Sequence, residues 1–261
     1  MTANCILERV NETRSTNDDL LERWRAGELI DPVARIAHKQ TAGKGRAGRS
    51  WLTNPDDSLC FSIAFPFKRT PAQLSGLSLS VGLAVIAGIA QACNLSEREL
   101  QRAGLCLKWP NDLLLNRAKL GGILIEGGQA KSGDSTWMII GIGINLRNSE
   151  AIESNLDNGL KVGSLAQLTD SLPDIEYLWL QLIASLEHIL AEFDLYGFDL
   201  YKEHWMKWDA YRDQSVCISG VGKDPIYGIA KGVDEKGALL LQQQNQTIAI
   251  HAGDVSLRMQ S

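Results

Sequence analysis

The sequence predicts an α+β fold, a mixed and largely antiparallel sheet flanked by helices with a small C-terminal β-barrel, and three observations lead there. Short apolar runs cluster before residue 150 instead of alternating with helices in a βαβ repeat. Two long segments, Leu77 to Cys93 and Tyr177 to Phe193, read as helices. Beyond Asp213 only short strand-like runs remain, broken by Gly222, Asp224-Pro225 and Glu235-Lys236-Gly237.

In chain order, Ser15-Thr16-Asn17-Asp18-Asp19 precedes Leu20, Leu21 and Trp24. Hydroxyls and carboxylates there can satisfy the unpaired N–H groups of a helix start, and Gly27 would end that helix. Val33 to Ala37 and Leu59 to Phe65 read as strands on either side of the glycine-rich stretch Thr41 to Ser50. The segment Pro71 to Ser96 carries no charge, but its Gln, Ser and Asn residues favour a buried helix over a membrane span, with Gly76, Gly82 and Gly88 serving close packing. Three β-type runs follow, Leu105 to Trp109, Leu113 to Leu115 and Leu120 to Glu126, and then the apolar strand Trp137 to Leu146. Apolar residues at 178, 182, 186 and 190 give the second long helix an amphipathic spacing. Val216, Ile218, Tyr227 to Val233, Ala238 to Leu241, Thr247 to Ile250 and Val255 to Leu257 make the barrel strands. The expected division is therefore 1–212 and 213–261.

The 261 residues carry a formal net charge of −5, so an anionic ligand must meet a local basic patch. Five scattered cysteines, with no C-x-x-C pair, read as reduced thiols, and four dispersed histidines give no transition-metal site. A glutamate and an arginine within the first ten residues argue against a signal peptide and for the cytoplasm, with no membrane partner.

Two motifs carry chemistry. Gly43-Lys44-Gly45-Arg46-Ala47-Gly48-Arg49 joins backbone freedom to three cations with no acid among them, which suits wrapping an anion; a basic surface turn is the plain alternative. It nearly matches a P-loop, but the turn-rich Trp51 to Asp57 follows where a P-loop needs a helix, and no ribose-binding acid in a βαβ setting supports a dinucleotide site. Lys108-Trp109-Pro110-Asn111-Asp112, followed by Lys119-Leu120-Gly121-Gly122, presents an aromatic face, an amide and a carboxylate at a strand-end bend between two lysines. Asp112 could meet a magnesium ion on ATP, or the motif could be an ordinary turn. Ser15-Thr16-Asn17 and Asn145 could bind polar ligand groups, or simply cap a helix and close a turn.

In this order, Ser15-Thr16-Asn17, Gln40 to Trp51, Lys108 to Asp112, Lys119 to Gly122 and Gly141-Ile-Gly-Ile-Asn145 resemble the catalytic region of bacterial biotin protein ligases. Gly237-Ala-Leu-Leu-Leu241 and Asp254-Val-Ser-Leu-Arg258 resemble that family's SH3-like domain. The resemblance implies a class II synthetase-like ligase fold that converts biotin and ATP, with Mg²⁺, into biotinyl-5′-AMP. Biotin then passes to a lysine of the biotin carboxyl carrier protein of acetyl-CoA carboxylase. It implies biotin contacts from Ser15, Thr16, Asn17, Gln40, Lys44, Gly45, Arg46, Lys119 and Gly122. Nucleotide contacts fall to Arg46, Arg49, Trp51, Asn111, Lys119 and Asn145, with Asp112 beside the metal-phosphate region and Lys119, Arg46 and Lys44 at the reacting centre.

Lys44 stands where many members have arginine, which keeps the charge but loses the bidentate fork. The first motif begins at residue 15, so no DNA-binding role is expected, and a sheet edge could pair two subunits. A lipoate-type ligase of the same fold is the alternative reading. A nucleic-acid-binding protein using Lys39 to Arg49 is a distant one.

Overall fold

The computed structural model describes residues 5–130, 135–147, 161–169, 171–220, 224–244, 246–253 and 255–259. Gly222 and Asp254 lie outside the described residues. The chain builds strand β1 (Ile6–Thr13), helix α1 (Thr16–Ala26), β2 (Val33–Gln40), β3 (Ser58–Phe67), α2 (Leu77–Cys93), α3 (Glu97–Arg102), β4 (Leu105–Lys108), β5 (Asp112–Leu115), β6 (Ala118–Gln129) and β7 (Thr136–Asn145). Helices α4 (Ile175–Tyr196) and α5 (Lys202–Met206) follow, then strands β8 (Ser215–Ser219), β9 (Ile226–Val233), β10 (Leu239–Gln243), β11 (Gln246–Ile250) and β12 (Ser256–Met259).

The first seven strands form one sheet in the order β1-β2-β3-β7-β6-β5-β4. Only β1 and β2 pair in parallel, and every other neighbour is antiparallel, as a mixed, largely antiparallel sheet requires. The last five strands form an antiparallel sheet ordered β11-β10-β9-β8-β12. The closed barrel expected from the sequence is not formed among the described residues: β11 and β12 stay as unpaired edges, an open sheet consistent with an SH3-like domain.

Side-chain size divides the two faces of the large sheet. Alternate residues of a strand point to opposite faces. Phe61, Ile63, Ile123, Ile140 and Ile142 share the main core with α2 and α4. Their neighbours in the alternation on the central strands include Cys60, Ser62, Gly122, Gly141 and Gly143, which register brings side by side: Cys60 opposite Gly143, Ser62 opposite Gly141, and Gly122 opposite Gly143. Helix α1 covers one end of that second face with Leu20 and Leu21 against Val33, Ala64, Trp137 and Ile139. The small residues beyond it leave the face hollow.

Helix α1 begins and ends where its caps dictate. Ser15 Oγ accepts from Asp18 N at 3.4 Å, and Gly27 closes it at φ 78°. Gly88 lets α2 and α4 meet closely, since a Cβ there would lie 2.8 Å from Leu182 Cα. Among the described residues no helix is long and apolar enough to cross a membrane, and no disulfide joins the five cysteines.

The C-terminal sheet is moored to the turn after β4. Trp109 Nε1 donates to Gly237 O at 3.0 Å, and Ser75 Oγ donates to Lys236 O at 2.6 Å. Segment 208–210 takes the outer edge of β4, with Leu107 N donating to Trp208 O and Ala210 N to Leu107 O. Within it Asp209 Oδ2 is buried without a hydrogen-bond partner. Burial, only partly offset by the Tyr211 N–H and Arg212, pushes the Asp209 carboxyl up to about 6. That value lies above the ordinary carboxyl range near ~3.9, so the contribution of Asp209 to stability is present at low pH and is lost as pH rises through about 6. Asp209→Asn is expected to stabilise the fold by on the order of 1–2 kcal/mol at neutral pH, with no gain near pH 4. Thermal unfolding of both proteins across that range measures the difference.

Candidate active site

The hollow face carries a cavity of about 440 Å³ that gathers every site residue expected from the sequence except Asp112. At one end, the N-terminus of α1 and the end of β2 meet. Thr16 N donates to Gln40 Oε1 at 2.8 Å, and Thr16 Oγ1 shares a hydrogen bond with Ser62 Oγ at 2.8 Å. Asn17 Nδ2 donates to Glu126 Oε2 at 2.6 Å, while its Oδ1 is buried with no partner. Ser15 both caps the helix and lines the cavity. These side chains form a polar wall in which Thr16 is tied to β2 and β3, Asn17 to β6, and Ser15 to its own helix.

The glycine-rich stretch folds back on itself. Gly45 N donates to Arg49 O at 2.7 Å and Trp51 N to Gly43 O at 2.8 Å, which places a short 3₁₀ turn, Arg46–Gly48, at the tip. No helix follows, so the near match to a P-loop has no structural counterpart. Gly43 has no room for a side chain, since a Cβ would lie 2.5 Å from Trp51 O. The cations are directed by specific partners. Lys44 Nζ lies 2.6 Å from Asp18 Oδ1, Arg46 donates to Asn111 Oδ1 at 2.8 Å, and Arg49 Nε donates to Arg46 O at 3.1 Å. Asn111 in turn donates to Ile123 O at 2.8 Å, which ties the loop to β6 through the bend after β4.

Trp51 leaves this loop and lies over the glycines of the floor. A Cβ on Gly143 would come within 2.5 Å of its ring, and one on Gly122 within 3.4 Å. Lys119 Nζ sits 5.5 Å from the Trp51 ring centroid, a cation–π contact. The Lys119 backbone is pinned by segment 161–163, with Lys119 N donating to Lys161 O and Gly163 N to Lys119 O. Asn145 reinforces that segment by donating from Nδ2 to Lys119 O at 3.1 Å and Gly163 O at 3.2 Å. Its strand-end amide thus serves the backbone while the residue lines the cavity.

Asp112 stands behind this wall. Burial raises its carboxyl, but Lys119 and Lys108 overcome that effect and hold it below the usual range. Burial lowers the Lys108 ammonium despite the attraction of Asp112. Among the described residues no group of three or more His, Cys, Asp or Glu side chains gathers to hold a metal ion. Cys60 lines the cavity as a neutral thiol, pushed up to about 12 by burial.

Three partners went unread in the sequence. Ser62 was visible as a lone hydroxyl in the apolar run Leu59 to Phe65, where a buried polar group requires a partner. Asp18 was read only as part of a helix start, and Glu126 only as the end of a strand.

Known proteins resemble the chain in sequence and in fold. Residues 10–145 match the model of the biotin/lipoate A/B protein ligase family, and residues 214–258 match that of the biotin protein ligase C terminal domain. The bifunctional ligase/repressor BirA of Escherichia coli is 36% identical over 244 residues, covering 94% of this chain and 71% of that protein. The biotin–[acetyl-CoA-carboxylase] ligase of Mycobacterium tuberculosis is 32% identical, covering 95% of this chain and 88% of its own. In structure, the biotin protein ligase of Aquifex aeolicus in complex with biotin and ATP superposes with a TM-score of 0.77 at 27% identity, covering 98% and 99% of the two chains. With residues 10–145 and its C-terminal sheet both matched, the chain belongs to the biotin/lipoate A/B protein ligase family.

Proposed function

We propose that the chain is a biotin protein ligase that makes biotinyl-5′-AMP from biotin and ATP and transfers biotin to a lysine of a biotin carboxyl carrier protein. The observation that carries this reading is that one cavity brings a neutral polar wall of Ser15, Thr16, Asn17 and Gln40 together with the cations Arg46 and Lys119. Ser15, Thr16, Asn17 and Gln40 suit the ureido ring, which both donates and accepts hydrogen bonds. Gly45, Arg46 and Gly122 would flank the acid's chain, and Lys44 and Lys119 would lie nearer its carboxylate. Trp51, Asn111, Arg46, Arg49 and Asn145 would receive the nucleotide. The domains would divide at 212/213.

In the first step the biotin carboxylate attacks the α-phosphorus of ATP and pyrophosphate leaves. Two anions must approach, so the Lys119 ammonium and Arg46 guanidinium offset their repulsion and stabilise charge developing on the phosphoryl oxygens. In the second, the carrier's lysine amine attacks the acyl carbon and AMP leaves with the bonding pair, so no covalent enzyme intermediate is needed. Magnesium would come as part of the nucleotide substrate, since among the described residues no group of three or more acidic, His or Cys side chains gathers to hold it.

The decisive experiment supplies biotin, ATP, Mg²⁺ and a carrier domain and looks for a mass increase on one lysine. Lipoate-dependent ATP–pyrophosphate exchange in place of biotin-dependent exchange would overturn the choice of acid. Folding of the loop 43–51 over the intermediate would exclude water. Proteolysis there is expected to slow when biotin and ATP are both present, and equal rates would remove the gating role. We also propose a cytoplasmic enzyme and pairing of two subunits through the outer edge of β1, where Ile6 and Leu7 are exposed. Light scattering tests the pairing.

A further inference from the structure

Asp112 offers both of its oxygens to ammonium groups. Oδ1 lies 2.7 Å from Lys119 Nζ and Oδ2 lies 3.4 Å from Lys108 Nζ. The three side chains retain only 17%, 30% and 15% of their exposure, so solvent screens these pairs weakly. Of the three, Lys119 alone reaches the cavity.

Strand geometry explains the arrangement. Asp112 pairs across β5 and β6 with Gly122, while Lys119 pairs with Leu114 beyond an irregularity in the register. To meet Asp112, the Lys119 side chain runs along β6 past Gly122, where a Cβ would stand 3.5 Å from Lys119 Nζ. The ammonium is then held between a carboxylate on one side and the Trp51 ring on the other. A divalent cation at Asp112 would have to displace an ammonium and sit beside the other. Lys108 is too deeply buried for water to screen that repulsion.

We infer that Asp112 is a positioning residue: its carboxylate aims the Lys119 ammonium at the reacting centre, Lys108 balances its second oxygen, and it does not bind the magnesium of the nucleotide. The inference rests on the ligase reading, in which Lys119 faces the reacting carboxylate and phosphate.

The test is biotin-dependent ATP–pyrophosphate exchange by the full chain and its Asp112→Asn variant, with biotin and Mg²⁺ each titrated. The amide keeps the shape but releases the ammonium, and a misplacement of about 1 Å costs on the order of 10² in rate. The expected result is a kcat lower by about 10–100-fold, with the KM for biotin and the half-saturating Mg²⁺ each within about twofold of the unsubstituted chain. An unchanged kcat overturns the inference. So does a tenfold higher Mg²⁺ requirement with kcat restored at saturation, which would make Asp112 a metal ligand. Should Asp112→Asn fail to fold, the double variant Lys108→Gln/Asp112→Asn removes an ammonium together with its counter-ion and carries the same expectation. Absence of biotin-dependent exchange in the unsubstituted chain overturns the ligase reading and this inference together, whereas an active chain indifferent to Asp112→Asn overturns this inference alone.

Discussion

Lys119→Ala is expected to slow biotin-dependent adenylation by about 10²–10³-fold, the effect of deleting one preorganised donor at a centre where negative charge develops, roughly 2.7–4 kcal/mol. The loss should fall mainly on kcat. In the proposed reaction the ammonium gains most where carboxylate and phosphate are closest, so transition-state stabilisation suffers more than ground-state binding. The side chain is well prepared for that role. Its backbone N–H and carbonyl are both bonded to segment 161–163, and its Nζ lies between Asp112 and the Trp51 ring. Lys119→Arg should recover only part of the rate, since a planar fork cannot occupy the same point between carboxylate and ring. Exchange kinetics at saturating biotin, with thermal unfolding to verify the fold, measure both variants. Near-normal adenylation by Lys119→Ala would remove this residue from the reacting centre.

Elements with local punctuation were legible in the sequence. Helix α1 follows from Ser15 and Gly27, and α2 spans the residues that its uncharged, small-residue run marks out. Strand β1 escaped because an exposed edge strand with the sequence Ile-Leu-Glu-Arg-Val-Asn-Glu-Thr has no consistent apolar face, so pairing with β2 creates it. Helix α3 is six residues long, yet its capping box of Ser96 and Glu99 was present as a readable signal. The C-terminal strands were legible one by one. Closure was not, because it depends on which edges pair.

The site divides along the same line. Residue types at motif spacing brought the cations, Gln40, Trp51 and Asn111 to one cavity. Partners such as Asp18 for Lys44, Glu126 for Asn17 and Ser62 for Thr16 come from distant strands and helices, where side-chain direction decides contact. Sequence spacing carries no information about that direction.

The two glycines of β7 allow the halves of the cavity to be separated by experiment. Being two residues apart on one strand, Gly141 and Gly143 face the same side of the sheet. A Cβ on Gly141 would lie 2.8 Å from Asn17 Oδ1, whereas one on Gly143 would lie 2.5 Å from the Trp51 ring. Gly143→Ala therefore has to move the indole, and the loop resists, because Trp51 N is bonded to Gly43 O and Gly43 is itself packed against Trp51 O. Loss of a base–aromatic stack costs about 1–3 kcal/mol, so the KM for ATP is expected to rise by roughly 10–100-fold. Biotin affinity should change little, and tryptophan fluorescence should shift as the ring leaves the strand. Alanine is better tolerated than glycine in a strand interior, by about 0.5–1 kcal/mol, which offsets part of the strain and keeps the fold intact for the assay. Gly141→Ala should show the opposite pattern, raising the KM for biotin and sparing that for ATP. Equal effects of both substitutions on both substrates would mean that the cavity does not divide into an acid end under Asn17 and a nucleotide end under Trp51.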